Sequence, residues 1–169
     1  MKTARYVAAG IVALAVAVGA YLALGGAAPM GMAPQVGYTL LDGTKASTEQ
    51  LRGKVVLVNF WATSCTTCVR EMPQIVATHE KYKGRGYETL AVAMSYDPPA
   101  YVANFAETRK LPSGVAIDNT GQIAKSFGDV QLTPTSVLIN KRGEIVKRYV
   151  GEPDFVALHT LVEKLLTES

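Results

Sequence analysis

The chain has only two cysteines, and they stand two residues apart in the segment "FWATSCTTCV", residues 60–69. Thiols at this spacing can hold a metal ion, close a small structural loop, or exchange electrons as a dithiol and a disulfide. Cys65 and Cys68 directly follow an apolar run and begin a segment with helical periodicity. Their position in the fold therefore decides among these three chemistries.

The start of a helix favours the redox chemistry. Unpaired backbone N–H groups and the positive end of the peptide dipoles stabilise a thiolate there. A thiol pKa lowered from ~8.5 to ~7 raises the reactive fraction at neutral pH from a few per cent to about half. Cys65 lies nearer the open end of the helix, so we expect it to be the attacking nucleophile. Cys68, one turn further in, would then resolve the mixed disulfide.

The other two chemistries have less support. Tetrahedral zinc needs four ligands, and the chain adds only two histidines to its two cysteines. His79 lies eleven residues beyond Cys68 on what reads as the same helix, and His159 lies in the last helix. We expect both histidines to be solvated surface residues. A structural disulfide across so small a loop would remove little entropy from the unfolded chain. We therefore expect no metal, and no cofactor besides a redox-active disulfide.

The elements around the cysteines indicate one α/β domain. "KVVLVNFWA" and "YETLAVAMSY" are continuous apolar runs, which is the pattern of strands buried on both faces of a sheet. The segment between them has apolar residues at helical spacing, including Met72 and Ile75. Two parallel strands joined by a helix predict a right-handed βαβ unit.

Further elements follow and precede this unit. Asp97 is predicted to cap a helix with Pro98 at its first position, and Asp154 to cap the closing helix. "GVAID" reads as a short strand and "TGQIAKSFG" as a short helix. "TSVLIN" and "IVKRYVG", separated by the turn "KRGE", predict an antiparallel hairpin. Ser47 and Gln50 have the spacing of a capping box before the first central strand.

The first 34 residues differ from the rest. Lys2 and Arg5 precede 19 uncharged residues, Tyr6–Leu24, a length close to the ~30 Å hydrocarbon core of a bilayer and longer than a signal-peptide core of roughly 7 to 15 residues. We expect an uncleaved single-pass anchor. A cleaved signal peptide is the alternative, because small residues follow at 26–28. In both cases the chain is exported, with everything after Leu24 facing outward.

Length and charge agree with this organisation. The 169 residues allow one domain and an appendage, which we place at 35–169 and 1–34, the latter comprising the anchor and a linker. The net charge is only +3, and the basic residues are scattered singly or in pairs. The sequence therefore indicates no nucleic-acid partner.

Several of these features together resemble a known family. They are the strand, "FWA", Cys-x-x-Cys at a helix start, Pro73 five residues after Cys68, and "LTPTSVLIN" downstream. In combination they resemble thioredoxin-fold proteins, and more narrowly the membrane-anchored, extracytoplasmic TlpA/ResA-like thiol-disulfide oxidoreductases. The resemblance covers roughly residues 36–169. It implies an α/β thioredoxin-like fold whose mixed central sheet is flanked by helices, with an N-terminal extension and a central insertion from Asp97 to Gly128.

The resemblance also implies roles for single residues. Pro134 matches the family's cis-proline, which would lie beside the cysteine pair and leave the backbone of Thr133 free to pair with an extended substrate. Trp61 matches the tryptophan beneath the active site, where its role is structural. Pro73 matches the proline of the active-site helix.

Asn59 and Glu71 raise the question of the proton acceptor. Asn59 stands where cytoplasmic thioredoxins keep a buried aspartate, and an amide cannot shuttle protons. Glu71 follows Cys68 by three residues, so the two are neighbours on the helix. In TlpA/ResA-like proteins a glutamate at this spacing is an active-site residue. The alternative is an ordinary exposed carboxylate.

This chain departs from the family at two places. Ser64 stands where the family usually has tryptophan, so stacking against a partner is lost at that position. Thr66 and Thr67 separate the cysteines, without the proline common there. Because that dipeptide tunes the reduction potential, the sequence does not fix the potential.

The resemblance implies an inner-membrane protein whose catalytic domain faces the periplasm or extracytoplasmic side. It would take electrons from a membrane electron donor and reduce disulfides of protein substrates in cytochrome c maturation or copper-site assembly. A disulfide-forming oxidase shares the fold and the cysteines, but usually carries a large helical insertion that this chain lacks. A peroxiredoxin would need Pro-x-x-x-Thr-x-x-Cys, and no proline closely precedes Cys65. A copper-binding module using both cysteines and an outside ligand is the third alternative.

Overall fold

The computed structural model describes residues 30–168. The expected anchor, Tyr6–Leu24, lies outside them. Within the described residues no helix is both long and apolar enough to span a bilayer. In chain order the strands and helices are β1 (Gly37–Thr39), β2 (Lys45–Ser47), β3 (Val55–Trp61), α1 (Thr66–Tyr82), β4 (Tyr87–Ala93), α2 (Pro99–Thr108), β5 (Gly114–Ile117), α3 (Gln122–Ser126), β6 (Thr135–Ile139), β7 (Ile145–Val150) and α4 (Phe155–Thr167).

The central sheet is mixed, in the strand order β5-β4-β3-β6-β7. β3 and β4 are parallel and joined by α1, as the βαβ prediction required, and β5 is parallel to β4. β6 is antiparallel to β3, and β7 completes the predicted hairpin. Every residue of β3 is buried, because helices or loops cover both faces of the sheet.

Two apolar layers enclose the sheet. One contains side chains of α1, α2 and α4, including Met72, Val102 and Leu158. The other contains α3 and the segment before β3, including Ile123 and Phe127. The central insertion supplies α2, α3 and the edge strand β5, so it contributes to both layers and to the sheet. The α/β fold with a mixed sheet flanked by helices is therefore confirmed.

Local signals identified most helix starts correctly. Ser47 and Gln50 form the predicted capping box at the start of a short 3-10 helix, Thr48–Leu51, and the backbone N–H of Ser47 donates to Gln50 Oε1 at 2.9 Å. The Asp154 carboxylate accepts from the N–H groups of Val156 and Ala157 at the start of α4. The short hairpin of β1 and β2 was not predicted, because three-residue strands carry almost no periodicity.

The prediction for Asp97 was wrong. Pro98, not Asp97, is the cap residue of α2, and it makes no side-chain cap hydrogen bond. Asp97 is buried, and its carboxylate instead accepts two hydrogen bonds from Thr63. The two donors of Thr63 outcompete the helix end for this carboxylate.

The expectation for the histidines was wrong for His79, which is 4% exposed. Its Nδ1 lies 3.8 Å from Glu88 Oε1, and burial lowers the pKa of its imidazole. His159 is half-buried, with Nε2 2.8 Å from Thr78 Oγ1. Both rings therefore belong to the packing of α1 and α4.

The end of the segment predicted as a linker contacts the domain. The N–H groups of Met30 and Ala33 donate to Ile145 and Gly143, and Ile145 N–H donates to Gly31. These bonds lie where β6 turns into β7. We call residues 30–34 the N-terminal arm.

Candidate active site

Three chain segments meet where the parallel strands β3 and β4 end, and we call this end of the sheet the active-site edge. β3 and β4 are parallel, so their carboxyl ends lie together, and β6 begins at the same edge because Thr135 pairs with Phe60 near the end of β3. The cysteines follow β3, and Thr133–Pro134 immediately precede β6. The fold thus brings both predicted parts of the site to one edge.

Cys65 and Cys68 form a disulfide at the start of α1. Cys65 is the cap residue of this helix, and its Sγ accepts a hydrogen bond from the backbone N–H of Cys68 at 3.1 Å. Cys65 is half-buried, whereas Cys68 is 0% exposed. An outside sulfur can therefore approach Cys65 more readily than Cys68, which agrees with the predicted order of attack.

The peptide bond between Thr133 and Pro134 is cis, as the resemblance implied. Pro134 is buried, and its carbonyl accepts from Gly151 N–H at 2.8 Å. Thr133 makes no backbone hydrogen bond to another residue within 30–168. Its N–H and C=O are therefore available to an extended segment of another chain.

Glu71 lies in a buried polar cluster with Asn59 and Ser136. Glu71 is 1% exposed, so the alternative of an exposed carboxylate was wrong. Asn59 Nδ2 donates to Glu71 Oε1 at 3.0 Å and to Ser136 Oγ at 2.9 Å. The other oxygens, Glu71 Oε2 and Asn59 Oδ1, have no hydrogen-bond partner among the described residues. Loss of hydration on burial raises the pKa of Glu71 to about 7, against the opposing effect of the Asn59 hydrogen bond.

A buried carboxyl with this pKa can give or take a proton near neutral pH. Asn59 has no such capacity, but its amide fixes the orientation of the Glu71 carboxyl. Glu71 lies one helical turn beyond Cys68, on the same helix. The cluster can therefore serve the inner cysteine rather than the accessible one.

Trp61 and Pro73 lie on β3 and α1, the two elements that carry Asn59 and Glu71. Trp61 is fully buried, and its ring centroid is 5.1 Å from that of Phe105 on α2. Pro73 lies inside α1 and lacks the N–H that would bond to the carbonyl of Val69. Trp61 belongs to the apolar layer that also contains Cys68 and Met72 of α1, whereas Pro73 is exposed, and its structural role stays a prediction.

Sequence reasoning missed the residues that join the loops of this edge. Thr63 donates from N and Oγ1 to Asp97 Oδ2 and Oδ1, each at 2.6 Å. Next to Asp97, the hydroxyl of Tyr96 lies 3.2 Å from Thr133 Oγ1. Residues that directly follow a parallel strand lie at the carboxyl end of the sheet. The position of Tyr96 and Asp97 shortly after β4 was therefore the signal that could have placed them at this site.

Within residues 30–168 there is no group of three or more His, Cys, Asp or Glu side chains placed to hold a metal ion. The chemistry that the described residues support at this edge is thiol-disulfide exchange. It combines an accessible sulfur, a buried partner sulfur and a buried carboxyl of near-neutral pKa.

Comparisons with known proteins agree with this chemistry. The Redoxin family matches residues 29–161. The chain is 37% identical over 133 residues to thiol-disulfide oxidoreductase ResA of Bacillus thuringiensis subsp. konkukian, covering 79% of this chain and 76% of the relative.

Solved structures agree as well. A solution structure named as a thioredoxin from Neisseria meningitidis has a TM-score of 0.77 and 42% identity, covering 82% of this chain and 92% of that one. A thiol:disulfide interchange protein of the thioredoxin family from Chlorobium tepidum has a TM-score of 0.74 and 27% identity, covering 83% and 98%.

Proposed function

The chain belongs to the Redoxin family and is a thiol-disulfide oxidoreductase of the TlpA/ResA-like type, and from this premise we propose that it is a membrane-anchored, extracytoplasmic reductase of protein disulfides. One observation carries the proposal. The half-exposed Cys65 and the buried Cys68 lie at a helix start, on the sheet edge that also carries cis Thr133–Pro134. This edge offers an attacking sulfur, a resolving sulfur and a backbone for the substrate.

The reaction runs in two exchanges. The Cys65 thiolate attacks one sulfur of a substrate disulfide, forms a mixed disulfide with it and releases the other substrate sulfur as a thiolate. Cys68 loses its proton and attacks Cys65 Sγ, which frees the second substrate thiolate and leaves the Cys65–Cys68 disulfide. Two electrons pass from the enzyme dithiol to the substrate. A membrane electron donor then reduces the pair again, and no further cofactor takes part.

Glu71 accepts the proton of Cys68 in this scheme. Its pKa of about 7 lies closer to the pKa of a thiol than the pKa of an exposed carboxyl does. Proton transfer from Cys68 to Glu71 is therefore less unfavourable. Thr133 pairs its free backbone groups with the substrate on the side of Cys65. Protein disulfides in cytochrome c maturation or copper-site assembly are the substrates we propose.

Cysteine variants test the assignment of the two sulfurs. Cys65→Ser should abolish exchange, because no accessible sulfur remains. Cys68→Ser should trap substrates as mixed disulfides at Cys65, detectable by non-reducing gel and by mass. Equal trapping by both variants would show that the two roles are assigned wrongly.

The reduction potential tests the direction of electron flow. A reductase should have a potential near that of thioredoxin, about −270 mV, when equilibrated with glutathione or dithiothreitol buffers. A potential near about −120 mV, typical of a strong oxidant, would instead support the disulfide-forming oxidase.

The membrane anchor is tested by fractionation. With residues 6–24 as an uncleaved span, the mature protein should keep its encoded N-terminus and resist extraction from membranes by salt or alkali. A mature N-terminus near residue 29 and release into the soluble fraction would contradict the anchor.

A further inference from the structure

We propose that Tyr96 contacts the substrate, and that its ring forms one wall of a subsite for an apolar side chain next to the reacting substrate cysteine. This inference rests on the disulfide-exchange site described above and concerns its preference among substrates. Nothing in the reaction scheme above uses Tyr96.

The first observation is the place of Tyr96. It lies three residues after β4, at the sheet edge where the cysteines and the cis-proline segment also lie. Its side chain is 58% exposed, yet its hydroxyl lies 3.2 Å from Thr133 Oγ1. The phenol end is thereby tied to the residue whose free backbone groups would pair with a substrate, while the ring remains open to solvent.

The second observation is the rigidity of the segment that carries Tyr96. Asp97, the next residue, is buried and accepts two hydrogen bonds of 2.6 Å from Thr63, in the loop before Cys65. Asp97 N–H also donates to Met94 at 3.0 Å. The chain at Tyr96 is thus attached to the Cys65 loop through Asp97 and to the cis-proline loop through its hydroxyl. Binding against an ordered ring costs less entropy than binding against a mobile one.

The third observation concerns the chemistry of the surroundings. Leu132, directly before Thr133, is 65% exposed, so a second large apolar side chain stands at this loop. The carboxylate nearest in sequence, Asp97, is buried with both oxygens engaged by Thr63. Tyrosine is enriched at interfaces because it offers a large apolar face at low entropic cost. An apolar substrate side chain therefore fits this place better than a charged one.

Exposure alone would not support this assignment, since single exposed apolar residues are common on soluble proteins. Tyr101 provides the comparison. It is 65% exposed on α2, within the insertion that begins directly after Tyr96, but among the described residues its side chain has no hydrogen bond to either site loop. The attachment to Thr133 distinguishes Tyr96 from it.

The experiment uses the full chain and two peptides, each joined by a disulfide to the same small thiol. The peptides differ only in the residue beside the cysteine, which is leucine in one and serine in the other. Exchange is followed in both directions. The reduced protein reduces the peptide disulfide, and the oxidised protein oxidises a mixture of the free peptide thiol and the same small thiol. The quantity compared is the ratio of kcat/KM for the leucine peptide to that for the serine peptide.

Tyr96→Ala should lower this ratio about fivefold to tenfold, mainly through KM, because the ring contact with leucine is lost. Tyr96→Phe should keep most of the preference, since the ring remains. Tyr101→Ala should leave the ratio as in the wild-type protein.

An unchanged ratio in Tyr96→Ala would overturn the proposal. So would an equal fall in kcat/KM for both peptides, which would indicate a structural effect on the Cys65 loop, or an equal loss of preference in Tyr101→Ala. Exchange that runs only in the oxidising direction would defeat the proposed reductase function, while the leucine preference would still be measured in that direction.

Discussion

At the scale of single residues, Glu71 should make the stability of the protein depend on pH. Its pKa is raised by burial from 4.5 to about 7, so between these values the native state binds a proton that the unfolded state has released. Stability from this group is therefore fully present below pH 4.5 and is lost as the pH rises through about 7. The whole change corresponds to about 3 kcal/mol.

Glu71→Gln removes this titration and keeps a polar partner for Asn59. In the oxidised proteins, the free energy of unfolding of the variant relative to the wild type should therefore rise by about 3 kcal/mol between pH 4 and pH 8. Urea unfolding at a series of pH values measures this difference. Glu107→Gln, at an exposed position of α2, is the matched control. A flat difference for Glu71→Gln would mean that this carboxyl titrates like an exposed one.

The same substitution should change the cysteines in two opposite ways. Removing a nearby negative charge makes a thiolate easier to form, so the pKa of the cysteine thiols should fall. Removing the base should at the same time slow the release of the mixed disulfide, because Cys68 loses its proton acceptor. Thiolate absorbance against pH measures the first effect, and single-turnover exchange measures the second. If neither changes, Glu71 is not the proton acceptor.

At the scale of elements, local and periodic signals predicted most of the architecture. β3 and β4 were predicted because their apolar runs are continuous, and α1 because Met72 and Ile75 fall on one face. The resemblance supplied the cis bond at Pro134. What local signals could not predict were pairings between distant segments. From its neighbours alone, Asp97 has the pattern of a helix cap. Its real partner, Thr63, is 34 positions away, so the sequence around Asp97 gives no sign of it.

The pairing of Asp97 with Thr63 should hold the loop before Cys65. An asparagine side chain in place of Asp97 would have one oxygen to accept from the two donors of Thr63, and its NH₂ group would face the other donor. Asp97→Asn should therefore destabilise the protein by about 1–3 kcal/mol and speed hydrogen exchange at Thr63 N–H. Asp129→Asn, at an exposed position directly after the insertion, is the control. Unchanged exchange at Thr63 in Asp97→Asn would show that the loop is held by other contacts.

At the scale of the whole molecule, the N-terminal arm and the cysteine pair lie at opposite edges of the sheet. β6 begins at the active-site edge and ends at Ile139, and β7 starts back from Ile145 at the far edge. The N-terminal arm is hydrogen-bonded beside that far end, to Gly143 and Ile145. With the proposed anchor preceding the arm, the domain would be attached at one edge and would present Cys65 at the other.

The arm should therefore matter for stability and not for exchange. We compare a chain that starts at Met30 with one that starts at Gln35. The shorter chain loses the three backbone hydrogen bonds to the turn region and the acceptor of Thr48 Oγ1, which is Pro34 O at 2.7 Å. Its free energy of unfolding should fall by about 2–6 kcal/mol, given a typical net value of about 0.5–1.5 kcal/mol for each of these hydrogen bonds.

Exchange rates with a small disulfide are measured well below the temperature at which either chain unfolds, and they should agree within about twofold. The reason is that within residues 30–168 no hydrogen bond of the arm reaches the active-site edge. Equal stability of the two chains would mean that the arm bonds contribute nothing net, and that the domain is independent of residues 30–34. A large loss of exchange with intact folding would show that the two edges are coupled through the sheet.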